Sequence, residues 1–177
     1  MAQAKKRILI VEPDDRIRSL LAKSLDGLNY DCIQQENATG AIGEISSRLD
    51  LAVVDIDQSE NRNLVDMIKD GMGTPVIVMT SNPNVRDASG FVLEKRAVAY
   101  VSKPGLPSTF PIDDIIKLIE VQTKIRQRER EGVKYEEPRE LLVVDDNSLF
   151  IRFNFILSPI TFLSVIPNAP PRTKSGA

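Results

Sequence analysis

The chain has 177 residues, 42% of them hydrophobic and 27% charged, with a net charge of −2. That balance suits a globular protein with one full domain and a partial second unit, and it excludes a global electrostatic pull toward nucleic acid or anionic membrane. Histidine is absent and cysteine occurs once, at Cys32, which excludes histidine-based catalysis, histidine metal sites and any internal disulfide, and points to a reducing, cytoplasmic compartment.

In chain order, the basic start Met1 to Arg7 leads into an apolar run that ends at Val11, too short for a signal peptide or a spanning helix. That run, 7–11, is a strand candidate closed by Glu12. Ile17, Leu20, Leu21 and Leu25 then recur at helical spacing. Residues 30–34 are a second strand candidate. Asn37 is placed to cap a helix carrying Ala38, Ala41, Ile42 and Ile45. The third strand candidate, 51–55, ends on Asp55. Leu64, Val65 and Ile68 form a short helical stripe that Gly71 is expected to close. A fourth strand, 75–79, precedes Thr80. Residues 84–96 carry the least regular stripe, interrupted by Gly90. The fifth strand, 98–102, precedes Lys103.

Residues 112–131 read as one long helix whose end, from Lys124, is heavily charged. It is either a solvated helix running off the domain or a coiled-coil seam for a dimer, with Gln122 interrupting the stripe. Residues 132–138 read as a linker. Glu140 to Val144 is a further strand, ending in Asp145-Asp146. A membrane helix at 150–166 is disfavoured by Arg152, Asn154 and Pro159. The Pro-rich end from Pro167 is expected to be disordered.

Strand–helix alternation predicts an α/β, doubly wound parallel sheet covered on both faces. Near-continuous apolar strands agree with that burial. With all strands parallel, Glu12, Asp55, Thr80 and Lys103 meet on one sheet edge. Each alone is ordinary: acids are common at strand ends, Thr80 suits a turn, and Tyr100 suits a half-buried core. Their joint placement is what points to phosphoryl chemistry.

The runs Lys6–Glu12, Asp50–Ile56, Thr74–Thr80 and Tyr100–Pro104 together resemble the response-regulator receiver domain of two-component signalling, over residues 5–123. The resemblance implies a flavodoxin-like five-stranded sheet in the order 2-1-3-4-5, with the site where the strand order reverses. It implies Asp55 as phosphoacceptor, with a histidine kinase or phosphotransfer protein as donor and partner. Lys103 would neutralise the phosphoryl oxygens and Thr80 would donate its hydroxyl to them, with Tyr100 swinging inward as the readout. Mg²⁺ is the implied cofactor, held by Glu12, Asp55 and Asp57.

The chain departs from the family at Pro13, which stands where a second acid is usual. Asp57 is expected to replace part of that acid. Three readings follow: a phosphorylated switch that is not an enzyme, a non-phosphorylated pseudo-receiver, or a phosphatase of the haloacid-dehalogenase type using Asp55-Ile56-Asp57, Thr80, Lys103 and Asp145-Asp146. Residues 124–138 read as charged helix end and linker. Residues 139–177 resemble the start of a truncated second receiver with a disordered tail. No DNA-binding unit is recognisable after the receiver.

Overall fold

The computed structural model describes residues 5–45, 48–94, 96–103, 110–132, 141–143 and 151–153. Strands β1 (Lys6–Val11), β2 (Tyr30–Gln35), β3 (Leu51–Asp55), β4 (Val76–Thr80) and β5 (Ala99–Ser102) alternate with helices α1 (Asp15–Asp26), α2 (Ala38–Ile45), α3 (Ser59–Met72) and α4 (Val85–Leu93), and α5 (Ile112–Arg130) follows β5. The five strands form one parallel sheet in the order β2-β1-β3-β4-β5. The predicted architecture and strand order are therefore those observed. Two short strands, β6 (Leu141–Val143) and β7 (Ile151–Phe153), pair antiparallel in a separate sheet. Asp145 and Asp146 lie outside the described residues, as does the proposed disordered tail.

The strands alternate their side chains between two cores, as the period of two requires. Ile8, Ile10, Leu51, Val53, Ile77 and Met79 pack with Ile17, Leu21, Leu25, Ile115 and Ile119 of α1 and α5. Leu9, Val11, Ala52, Val54, Val76 and Val78 pack with residues of α2, α3 and α4. Every residue of β3 and β4 is buried. A strand covered on both faces has no polar side to show, so these two read as continuous apolar runs.

Local chemistry sets the helix ends. Asp14 caps α1, its carboxylate accepting from the Arg16 amide. Asn37 caps α2 as expected, through the Gly40 amide at 3.1 Å. Asn84 caps α4 through the Asp87 amide, and Gly90 is accommodated within that helix. Gly71 does not close α3. The helix runs to Met72 and ends on Gly73 at φ 56°, where a residue without Cβ takes the left-handed turn at least cost.

The charged end of α5 is docked. Arg126 donates to the Met72 carbonyl at 3.0 Å, and Arg130 pairs with Asp50 and donates to the Leu49 carbonyl at 3.2 Å. These contacts hold the helix to the N-terminal side of β3 and the end of α3. No helix among the described residues is long and apolar enough to cross a membrane.

Candidate functional site

Strand β1 is flanked by β2 and β3, so successive crossovers leave it in opposite directions. The crevice beyond the carboxyl ends of β1 and β3 is where an open α/β sheet binds ligands. Glu12 and Asp55 stand there, both fully buried, with Thr80 and Lys103 almost as deeply buried beside them. Parallel pairing of all five strands brings four residues spread over 91 positions to one edge.

Lys103 is the centre of the cluster. Its Nζ lies 3.1 and 3.3 Å from the Glu12 carboxylate oxygens, donates to Asp55 Oδ2, and lies 3.6 Å from Asp57. Three carboxylates thus face one ammonium. Burial pushes Glu12 up from its ordinary pKa, and attraction to Lys103 only partly offsets it. Asp55 is raised for the same reason, again with Lys103 pulling the other way. Burial alone would lower Lys103, but its hydrogen bond to Asp55 and the Glu12 charge outweigh it and leave the ammonium more firmly protonated.

Asp57 behaves differently. Desolvation would raise it, but hydrogen bonds from Thr80 and Ser81 outweigh that and hold its carboxyl below the ordinary value. The Thr80 hydroxyl donates to Oδ1, and the Ser81 amide reaches Oδ1 at 3.1 Å and Oδ2 at 2.9 Å. The Asp57 amide in turn donates to Asp55 Oδ1 at 3.1 Å.

Around Pro13 the chain offers no second inward acid. Arg18 donates to the Glu12 carbonyl at 2.6 Å and pairs with Asp15. Asp14 pairs with Arg16, whose guanidinium holds its carboxyl down at about 2. Both acids that follow Pro13 are therefore engaged with arginines of α1.

Tyr100 is buried, 1% exposed, with its ring 6.5 Å from that of Phe91. Its hydroxyl accepts from the Asn84 amide at 3.4 Å. Arg62 and Arg96 both lie over the Phe91 ring, at 5.8 and 4.6 Å, and are anchored by Asp87 and Asp66. The Ser81 and Asn84 amides and this arginine pair are the partners that side-chain pattern reading missed. The first two are backbone donors with no residue-type signature, and the arginines, Arg62 on α3 and Arg96 in the connection between α4 and β5, share no spacing.

One pH effect follows. In metal-free protein Glu12 and Asp55 bind protons more tightly folded than unfolded, so above the ordinary carboxylate range the folded state holds more protons. Stability to urea is expected to rise as the pH is lowered from 7 toward 5. Asp57 and Asp14, whose values are lowered, weaken the fold only at lower pH. Glu12→Gln is expected to flatten the slope between pH 7 and 5, as measured by urea midpoints. An unchanged slope would exclude Glu12 as its source.

No family model matches the chain, and no curated protein matches it. Solved structures do. A response-regulator receiver domain protein (CheY-like) from Methanospirillum hungatei JF-1 aligns with a TM-score of 0.62 at 25% identity, covering 71% of this chain and 98% of its own. The chain has the response-regulator receiver fold. The signal receiver domain of an HD domain-containing protein from Pseudomonas fluorescens Pf-5 aligns at 0.64 and 20% identity, covering 75% of this chain and 97% of its own. That of a Luxo repressor-like protein from Vibrio parahaemolyticus aligns at 0.64 and 21%, covering 74% and 99%. In this fold, then, the sheet edge bearing Glu12, Asp55, Thr80 and Lys103 is the lip at the strand carboxyl ends.

Proposed function

We propose that this receiver accepts a phosphoryl group on Asp55 from a histidine kinase or phosphotransfer protein, and that Thr80 and Tyr100 convert the event into altered protein contacts. The observation that supports it most is the pairing of buried Asp55 with Lys103 at the switch-point crevice. An Asp55 carboxylate oxygen attacks phosphorus, the new O–P bond forms, and the bond to the donor nitrogen breaks with the donor imidazole leaving. Lys103 moves with the charge, from the carboxylate to the phosphoryl oxygens, and needs no new positive group to be brought in.

The site also suits Mg²⁺. Its donors are all oxygen, and three carboxylates against one ammonium leave an unbalanced formal charge of about −2, matched by a divalent cation. When bound, that ion would draw the attacking carboxylate and the phosphoryl group together by screening their repulsion. Glu12 and Asp55 would hold it. Among the described residues no three His, Cys, Asp or Glu side chains are placed to hold one metal ion together. Asp57, the third acid of the expected set, would have to release Thr80 and Ser81 to join. Pro13→Asp is expected to tighten Mg²⁺ binding by roughly tenfold, the effect of one more carboxylate near a partly solvated cation. Calorimetric titration of the full chain checks it.

Incubation with acetyl phosphate and Mg²⁺, followed by intact mass, tests the phosphoacceptor reading. One phosphoryl group per chain, stable in acid and labile in base, is expected. No gain under saturating conditions would favour the pseudo-receiver reading, which Pro13 motivates. Sustained turnover of a phosphomonoester would favour the phosphatase. That reading requires Asp57 to carry a proton as general acid, and the hydrogen bonds that lower its pKa oppose this. A dimer through α5 and a protein partner on the face around Tyr100 belong to the same proposal as the switch.

A further inference from the structure

The Asp57 carboxylate collects three cationic or N–H/O–H donors at once. Thr80 Oγ1 donates to it, the Ser81 amide reaches both its oxygens, and Lys103 Nζ lies 3.6 Å away. These donors come from the ends of β4 and β5, and they surround an anion adjacent to Asp55 but not on it. Thr80 and Lys103 are the groups that a phosphoryl group on Asp55 would engage. Asp57 is two residues along, its own amide held by Asp55 Oδ1 at 3.1 Å, so its carboxylate is projected over the same donors.

We propose that Asp57 is a resident anion in this oxyanion cradle, holding the Thr80–Tyr100 switch in its inward arrangement before any phosphorylation. The inference rests on the reading of Asp55 as phosphoacceptor and revises the switch at one point: with Tyr100 already inward, the phosphoryl group alters protein contacts by displacing Asp57 from Thr80 and Ser81, and Tyr100 keeps its place.

Three observations agree. Thr80, with its hydroxyl on Asp57, is 2% exposed, so the hydroxyl is drawn inward and not left to solvent. Tyr100 is buried against Phe91 and held by the Asn84 amide, on the loop that Ser81 begins. Asp55 itself is fully buried beneath Lys103 and Asp57. A phosphoryl group arriving at Asp55 therefore has to displace an internal carboxylate from Thr80, Ser81 and Lys103. The Asp57 side chain is 23% exposed, so its removal opens no core cavity.

Two consequences separate this role from that of a loop cap. Phosphorylation should change the Tyr100 environment little in the wild type and much once Asp57 is gone. Uptake of the phosphoryl group should also speed up when the competing anion is removed, by roughly tenfold, the scale for one charge-assisted hydrogen-bond partner.

The test labels the full chain with fluorotyrosine and follows Tyr100 by fluorine NMR, assigned with Tyr100→Phe among the three tyrosines. Beryllofluoride with Mg²⁺ serves as the phosphoryl analogue. Wild type should show Tyr100 at one buried position that beryllofluoride barely moves. Asp57→Ala should shift or broaden it, and beryllofluoride should restore the wild-type position. Asp57→Asn, which keeps the shape but not the charge, should lie between. A Tyr100 signal identical in wild type and both variants overturns the proposal, and so does a wild-type signal that moves fully on adding beryllofluoride. Uptake from acetyl phosphate is followed in parallel by mass. If wild type and variants alike take up nothing, the phosphoacceptor reading fails, while the metal- and analogue-free Tyr100 comparison still decides the role of Asp57.

Discussion

Lys103→Met is expected to destabilise the domain by about 3–5 kcal/mol, the range for removing one partner of a buried ion pair. Lys103 is 6% exposed and is the one cation on Glu12 and Asp55 that the described residues show. Without it two fully buried carboxylates and the neighbouring Asp57 repel one another with nothing between them. The two buried acids should respond by taking up protons near neutral pH, so the loss should be largest above pH 7 and smaller at pH 5. Urea unfolding at both pH values reads this directly. Adding Glu12→Gln to Lys103→Met should recover part of the loss, because one stranded charge is then neutral. A purely additive double variant would show that the two residues are not coupled.

Asp55→Asn is expected to act in opposite directions on stability and on function. It removes a buried charge whose pKa is raised by desolvation, leaving Glu12 and Asp57 to share one ammonium. The domain should be as stable as wild type or more so at pH 7. An amide is no nucleophile for phosphorus, so the mass gain from acetyl phosphate should disappear. A variant that is more stable and yet chemically silent is the signature of a residue retained for chemistry. A variant that is destabilised by several kcal/mol would instead make Asp55 an anchor for Lys103.

Much of this was legible in the sequence, for physical reasons. Strands buried on both faces leave no ambiguity of pattern, so Leu51–Asp55 and Val76–Thr80 announce themselves. Parallel topology then sends every strand end to one edge, so Glu12, Asp55, Thr80 and Lys103 could be gathered before any distance was known. What the sequence hid was direction. Asp57 reads as a replacement for the acid missing at Pro13, and only the fold shows both its oxygens turned to Thr80 and Ser81. The Ser81 and Asn84 donors are backbone amides, which any residue type supplies. The end of α3 was misplaced by two residues because Gly71 and Gly73 look alike in sequence, and only Gly73 has the positive φ. The charged end of α5 reads as a free helix because two of its anchors, the Met72 and Leu49 carbonyls, are backbone groups and the third, Asp50, stands 80 positions from Arg130.

The most direct test of the central claim is the position at which the phosphoryl group comes to rest. The chain is phosphorylated with acetyl phosphate and Mg²⁺, reduced with borohydride so that an aspartyl phosphate becomes homoserine, and mapped by peptide mass spectrometry. The account predicts homoserine at position 55 and nowhere else. Homoserine at position 57 or 14, or a chain left unreduced throughout, would contradict it.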